Sequence, residues 1–214
     1  MDVSLRPRLR GVFHQYAFGV ALVAGTVLVL AADGTRERLA LAIYAASLAT
    51  MLGISAVYHR VVWRSPEARQ RMRRLDHSAI PLLIAGTYTP FAVLAFEGAL
   101  ANAILIVVWA GAAASLFLNL FWVHAPKWVT AVVFIALGWV GVAAIPQLYA
   151  LGLAPLLLVA LGGALYTVGA VIYALRRPNP VPLVFGYHEI FHLLVLAAAA
   201  AHFVAIAAYV LPQA

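Results

Sequence analysis

"YHEIFHLLVLAAAAAHFVAIAAYVL", residues 187–211, opens on two histidines and a glutamate and then runs almost wholly apolar. A bilayer hydrocarbon core about 30 Å thick is crossed by roughly 20 predominantly apolar residues in a helix, so this stretch is long enough to span. Reading outward from it, six more runs of that kind appear, at approximately residues 12–32, 39–62, 75–96, 101–123, 127–147 and 152–175. The breaks between them carry charge and turn chemistry, as in "DGTRER", "WRSPEARQRMRR", "VHAPK" and "RRPNPVP". Apolar residues make up 65% of the 214 positions and charged ones 10%, against about a quarter charged in a soluble domain. The solvent for this fold is therefore lipid. No run alternates with period two as a barrel strand does, and irregular backbone cannot face lipid. The expectation is an all-α seven-transmembrane-helix bundle. No linker is long enough to divide it, so residues 1–214 read as a single membrane domain.

The first run follows "RPRLR", but His14, Gln15 and Tyr16 interrupt its start and no good cleavage site follows, so it reads as a retained helix. Lysine and arginine are held on the cytoplasmic side during insertion. With a cytoplasmic N-terminus and an external C-terminus, Arg36 and Arg38 are the two of 14 Lys and Arg residues that fall outside. The net charge of +7 needs no nucleic acid. The arginines of residues 60–74 are placed to meet anionic lipid headgroups at the cytoplasmic face, or serve as a topogenic signal alone. The expected location is a plasma (inner) membrane, crossed several times.

Ionisable residues inside spans are costly and mark candidate sites. Ser55 and His59 lie near the end of the second run, Asp76 and His77 open the third, and His188, Glu189 and His192 open the seventh. In the alternating topology all three groups share the cytoplasmic end. His188 and His192 are four apart, as are Ser55 and His59, which places each pair on one helical face. Cysteine is absent, so any metal must use imidazole and oxygen. Three imidazoles, from His59, His188 and His192, would leave one position of a tetrahedral zinc open, the arrangement of a catalytic site. Asp76 and Ser55 then become candidates for holding the bound water and a developing oxyanion.

"HEIFH" also fits the zinc-protease pattern H-E-x-x-H. A third histidine would be wanted six residues after His192, where position 198 is alanine, and no acid follows Glu189. His59 is the better third ligand. Glu189 points about 100° from His188 on a helix, and its reading stays open between a role at the metal and a headgroup-level or loop-facing acid near Arg176 and Arg177. His77 points a similar angle from Asp76. His14 is expected to be an interfacial or packing residue, and His202 a satisfied core histidine. Asn102, Asn119 and the glycines of "LGGALYTVGA" read as packing positions, and Trp63, Trp122, Trp128 and Tyr209 as interfacial anchors.

"SAVYH", "RLDHSAIPLLIAGTYTPF" and "GGALYTVGAVIYALRRPNPVPLVFGYHEIFHLLV" resemble the bacterial hemolysin III proteins, a branch of the progestin and adiponectin receptor superfamily. The resemblance covers most of the chain. It implies a seven-helix membrane fold with a zinc held by three histidines on the cytoplasmic side, at His59, His188 and His192 here, with Ser55 and Asp76 as the family's serine and aspartate. It further implies kinship with alkaline ceramidases and lipid-amide hydrolysis. The leading expectation is a zinc-dependent hydrolase of a lipid amide or ester bond, with lipid as substrate. A zinc-stabilised sensor without turnover and a pore-forming protein are the other two readings. The outer halves of the helices are short of polar residues, which counts against a channel.

Overall fold

The computed structural model of the chain describes residues 7–121 and 126–213, apart from the side chains of Leu120 and Lys127. The anchoring role expected of Trp122, and the places of Arg6 and the Lys127 side chain in the charge pattern, lie outside the described residues. Among the described residues the helices are α1 (Val12–Leu30), α2 (Thr35–Arg60), α3 (Pro66–Pro90), α4 (Gly98–Phe121), α5 (Lys127–Gly138), α6 (Ile145–Ala150), α7 (Leu153–Leu175) and α8 (Tyr187–Ala205). Seven segments are long and apolar enough to cross a membrane, with α5 and α6 forming one of them. No strand is present among the described residues, only an isolated bridge between Val181 and Phe185. Large apolar side chains such as Val20, Val23, Leu30, Ile106 and Phe117 stand exposed on the outer surface, where lipid rather than water is their partner.

Two spans differ from the runs read in the sequence. The third was placed at residues 75–96, with residues 60–74 as a loop, yet α3 already begins at Pro66. Ser65 supplies the reason: its side chain accepts a hydrogen bond from the Ala68 amide at 3.0 Å, and proline at the first helical position is pre-set for the helix. A capped helix needs no apolar face until it reaches the membrane. The second difference is a break in the fifth span, where residues Trp139–Ala144 form a 3-10 turn between α5 and α6. Tyr88 of α3 inserts there, its hydroxyl donating to the Gly138 carbonyl and accepting from the Gly141 amide at 2.7 Å. A side chain that takes over ladder bonds in this way is a recognised cause of a helix break.

α2 and α3 are the most enclosed spans, and α7 the least. The α2–α3 contact is backbone-close, because a methyl group added at Gly86 would meet Ser47 Oγ at 2.0 Å. Small residues at such crossings let helices approach without a hydrophobic driving force. α1 and α8 close the ring. The strand of chain before α1 hydrogen-bonds to the loop before α8, from the Arg8 amide to the Leu183 carbonyl at 3.0 Å and from Leu9 to Val184 at 3.3 Å. The last turn of α2, the third turn of α3 and the first two turns of α8 are thereby brought to one end of the bundle.

Candidate metal centre

His59 occupies the last turn of α2, while His188 and His192 sit one above the other at the start of α8. One ring nitrogen from each of the three lies within 4.8 Å of the other two. His59 Nε2 and His188 Nε2 are 3.2 Å apart. Two ligands on a tetrahedral ion with arms of 2.0–2.1 Å are separated by about 3.3 Å, so this edge already has the length that a shared cation requires. His192 Nδ1 is enclosed and has no hydrogen-bond partner among the described residues. A buried nitrogen in that state is costly unless something satisfies it. The donor set fits a single transition-metal ion, and these three histidines could hold one.

Asp76 and Ser55 stand beside the three rings. Asp76 Oδ2 is 3.8 Å from His59 Nε2, at the height in the bundle where α3 passes the end of α2. Ser55, one turn before His59, is buried and lies beside the Asp76 carboxyl. Its hydroxyl is 2.9 Å from Nδ1 of His14. The His14 ring in turn stacks on His192, with centroids 3.9 Å apart and planes 9° from parallel. His14 is therefore a buried member of the site and not an interfacial residue. The signal for it was present in the sequence: His14 falls at the same membrane end as the other clusters. What the sequence lacked was the knowledge that α1 neighbours α8.

Glu189 faces the loop before α8 but pairs with neither Arg176 nor Arg177. Its side chain is fully enclosed, forms an ion pair with Arg10 Nε, and accepts a hydrogen bond from the Gly186 amide at 2.8 Å. The second contact is one half of a capping box; the other half is missing because Gly186 has no side chain. The glutamate thus fixes the start of α8 and ties it to the chain entering α1. Its partner is Arg10 and not Arg176 or Arg177, since α1 and not the end of α7 lies across from this face of α8.

Gly11 shows how tightly that entry is packed. Its φ of 77° is a left-handed conformation that L side chains resist, and an added Cβ would lie 2.5 Å from His59 Cβ. Gly11→Ala is expected to displace His59 and to weaken metal binding by at least ~10-fold while the bundle stays helical. Zinc affinity measured by competition with a chelator, beside a circular dichroism spectrum, checks this.

The remaining histidines among the described residues, His77 and His202, stay off the three-ring cluster. His77 Nδ1 donates to the Arg73 carbonyl at 2.8 Å, which leaves Nε2 to accept from the Tyr173 hydroxyl at 3.1 Å. His202 Nε2 donates to the Val159 carbonyl at 3.2 Å, packed where Gly162 leaves room for it, and its Nδ1 has no partner among the described residues. Trp63 donates from Nε1 to the Tyr58 carbonyl at 3.0 Å, and Trp128 is exposed.

A cavity of about 890 Å³ runs inward from the three histidines, near the upper end of the range for small-molecule sites. Ser55 and Asp76 line it at the histidine end, while Leu83, Phe91, Ile145 and Leu148 line its depth.

Comparison with known proteins identifies the family. The family described as "Haemolysin-III related" matches residues 4–203. Hemolysin-3 of Bacillus cereus is 35% identical over 177 residues, which is 82% of this chain and 77% of that protein. The Hemolysin-3 homolog of Bacillus subtilis (strain 168) is 32% identical over 168 residues, 78% of this chain and 75% of its own length. The adiponectin receptor protein of Drosophila melanogaster is 30% identical over 188 residues, 79% of this chain and 42% of the receptor. A seven-span helical bundle, a cluster of three histidines at one end of it and a match over nearly the whole length lead to one assignment: the chain belongs to the haemolysin-III-related family of multi-pass membrane proteins.

Proposed function

We propose that the protein is a zinc-dependent membrane hydrolase that cleaves an amide or ester bond of a lipid. The observation that carries this reading is one continuous cavity, with three imidazoles, a carboxylate and a hydroxyl at one end and a mainly apolar depth beyond them. When bound by His59, His188 and His192, zinc would supply a water of pKa near 7 and polarise a scissile carbonyl. Asp76 is the group to receive a proton from an attacking water and to return it to the leaving amine or alcohol. Ser55 is placed to donate its hydroxyl to the oxyanion, and His14 holds that hydroxyl in position. The apolar depth takes the acyl chain and keeps water from it. The arginine-rich end of the bundle, with Arg60, Arg64, Arg69 and Arg73, is assigned to the cytoplasmic side.

The test is release of free fatty acid from a panel of lipid amides and lysophospholipid esters by the purified protein, followed by mass spectrometry. Turnover is expected with zinc, and its loss with chelator. Asp76→Asn is expected to lower the rate by ~10²- to 10⁴-fold with zinc content unchanged. One zinc per chain without fatty acid release from any lipid would replace the hydrolase by a lipid-binding sensor. Release that survives chelation would remove the metal from the chemistry.

A further inference from the structure

The cavity is not lined at random along α3. Its lining from this span covers a face about 140° wide, and along the middle of that face Arg69, Arg73, Asp76, Ile80, Thr87 and, just past the end of α3, Phe91 follow one another at steps of three, four or seven residues. That face changes character with depth. It begins with two guanidinium groups, passes the carboxylate beside the three histidines, and becomes mainly apolar down to Phe91, with the Thr87 hydroxyl spent on the Leu83 carbonyl. Along the helix axis Arg73 stands about 4.5 Å above Asp76, and Phe91 about 22 Å below it. One leaflet of a bilayer core is about 15 Å deep, so an ordinary membrane acyl chain fits below the carboxylate.

The charge balance at the open end is positive. Arg10 also lines the cavity there but is engaged by Glu189. Asp76 is turned to His59. Arg69 Nε is enclosed and has no hydrogen-bond partner among the described residues, and Arg73 is exposed at the mouth. Among the described residues neither guanidinium is paired with a carboxylate, Asp76 included, and guanidinium groups in that state are suited to phosphate, which they bind through paired charge-assisted hydrogen bonds. α3 can offer them at this place because Ser65 and Pro66 start the helix well before the membrane does. From Pro66 to Asp76 the helix rises about 15 Å, and the arginines ride on that extension.

We propose that Arg69 and Arg73 form a headgroup subsite for a phosphate-bearing lipid, whose acyl chain fills the cavity and whose amide or ester carbonyl rests at the level of Asp76. The assignment rests on the hydrolase reading only in calling this lipid a substrate.

A matched pair of probes isolates the charge: palmitoyl-glycerol phosphate and palmitoyl-glycerol, which differ by the phosphate alone. Binding is measured by native mass spectrometry on protein purified in neutral detergent and stripped of metal with chelator, so that neither turnover nor zinc enters the readout. The phosphate lipid is expected to bind at least ~10-fold more tightly. In the double variant Arg69→Gln, Arg73→Gln that advantage should vanish, with affinity for the neutral lipid changed by less than ~2-fold. The pair Arg69→Lys, Arg73→Lys should restore part of it, since the charge returns without the planar fork. Equal affinity for the two probes overturns the proposal, and so does an equal loss of both in the glutamine variant. A third arm adds inorganic phosphate: displacement of the phosphate lipid at equal molar concentration would assign the arginines to a free anion and overturn it as well. If the preference holds but no zinc-dependent hydrolysis of the phosphate lipid occurs, the headgroup subsite stands and the hydrolase reading falls.

Discussion

His188→Ala is expected to take bound zinc from about one per chain to near zero, and to lower lipid hydrolysis by at least ~1,000-fold. The size of the effect follows from how the ligands are held. His59 and His188 already place their Nε2 atoms 3.2 Å apart, so the protein meets the ordering cost of a site before any ion arrives. Removing one of three imidazoles leaves two protein ligands, too few for the sites that zinc occupies in proteins. His202→Ala on the same helix is the control. That ring is hydrogen-bonded to the Val159 carbonyl, almost four turns further along α8 than His188, and its loss should leave zinc content unchanged. Elemental analysis of both variants, purified without added metal, decides the matter. Full zinc retention in His188→Ala would mean that the three rings meet for packing alone.

The second large effect concerns Glu189, and it separates a structural acid from a chemical one. Glu189→Ala is expected to destabilise the protein by ~3–5 kcal/mol, because it leaves the Arg10 charge without a partner in a largely enclosed position. It also removes the acceptor of the Gly186 amide at the start of α8. Arg10→Ala should cost a similar amount. The two losses together should fall well short of additive, since they break one pair. Thermal unfolding in detergent reads this directly. Glu189→Gln keeps the shape and should keep most zinc-dependent turnover in whatever protein stays folded. A thousand-fold loss of turnover in Glu189→Gln, at unchanged melting temperature and zinc content, would make this glutamate the general base that the H-E-x-x-H pattern suggests.

That pattern shows why the site was only partly legible in the sequence. His188 and His192 are related by local helical geometry, and a spacing of four places them on one face in any helix. His59 could be added because span counting brought it to the same membrane end. Asp76 followed by the same argument, and the structure brings it within 3.8 Å of His59. His14 satisfied the same count, yet was read as an interfacial or packing residue, because a single histidine near an interface carries no spacing signal. Its stacking on His192 depends on α1 lying against α8, which is a long-range choice. The role of Glu189 stayed open for the same reason. Its candidate partners in sequence were the arginines just upstream, whereas the partner across space is Arg10.

The spans divide in the same way. Their number, and their helical form, follow from length and composition, since lipid offers the backbone no hydrogen bonds and a helix must satisfy its own. Where a helix begins beyond the membrane is set by a cap, so the start of α3 at Pro66 was readable in "RSPEAR" only as a local signal competing with a run of charge. The break between α5 and α6 had no such signal strong enough to announce it. Gly138 and Gly141 permit the break, but Tyr88 from another helix stabilises it.

The amino-acid sequence by itself therefore determined the solvent, the seven crossings, and the end of the bundle at which imidazole, carboxylate and hydroxyl groups gather, because each of these follows from composition and helical period. Only the tertiary structure decided which helices are neighbours. With that came the partner of Glu189, the place of His14 against Ser55 and His192, and the cavity that joins the arginines of α3 to an apolar depth. Those contacts join residues far apart in the chain, and inside lipid such pairings are chosen by side-chain packing and polar satisfaction among helices that are all similarly apolar.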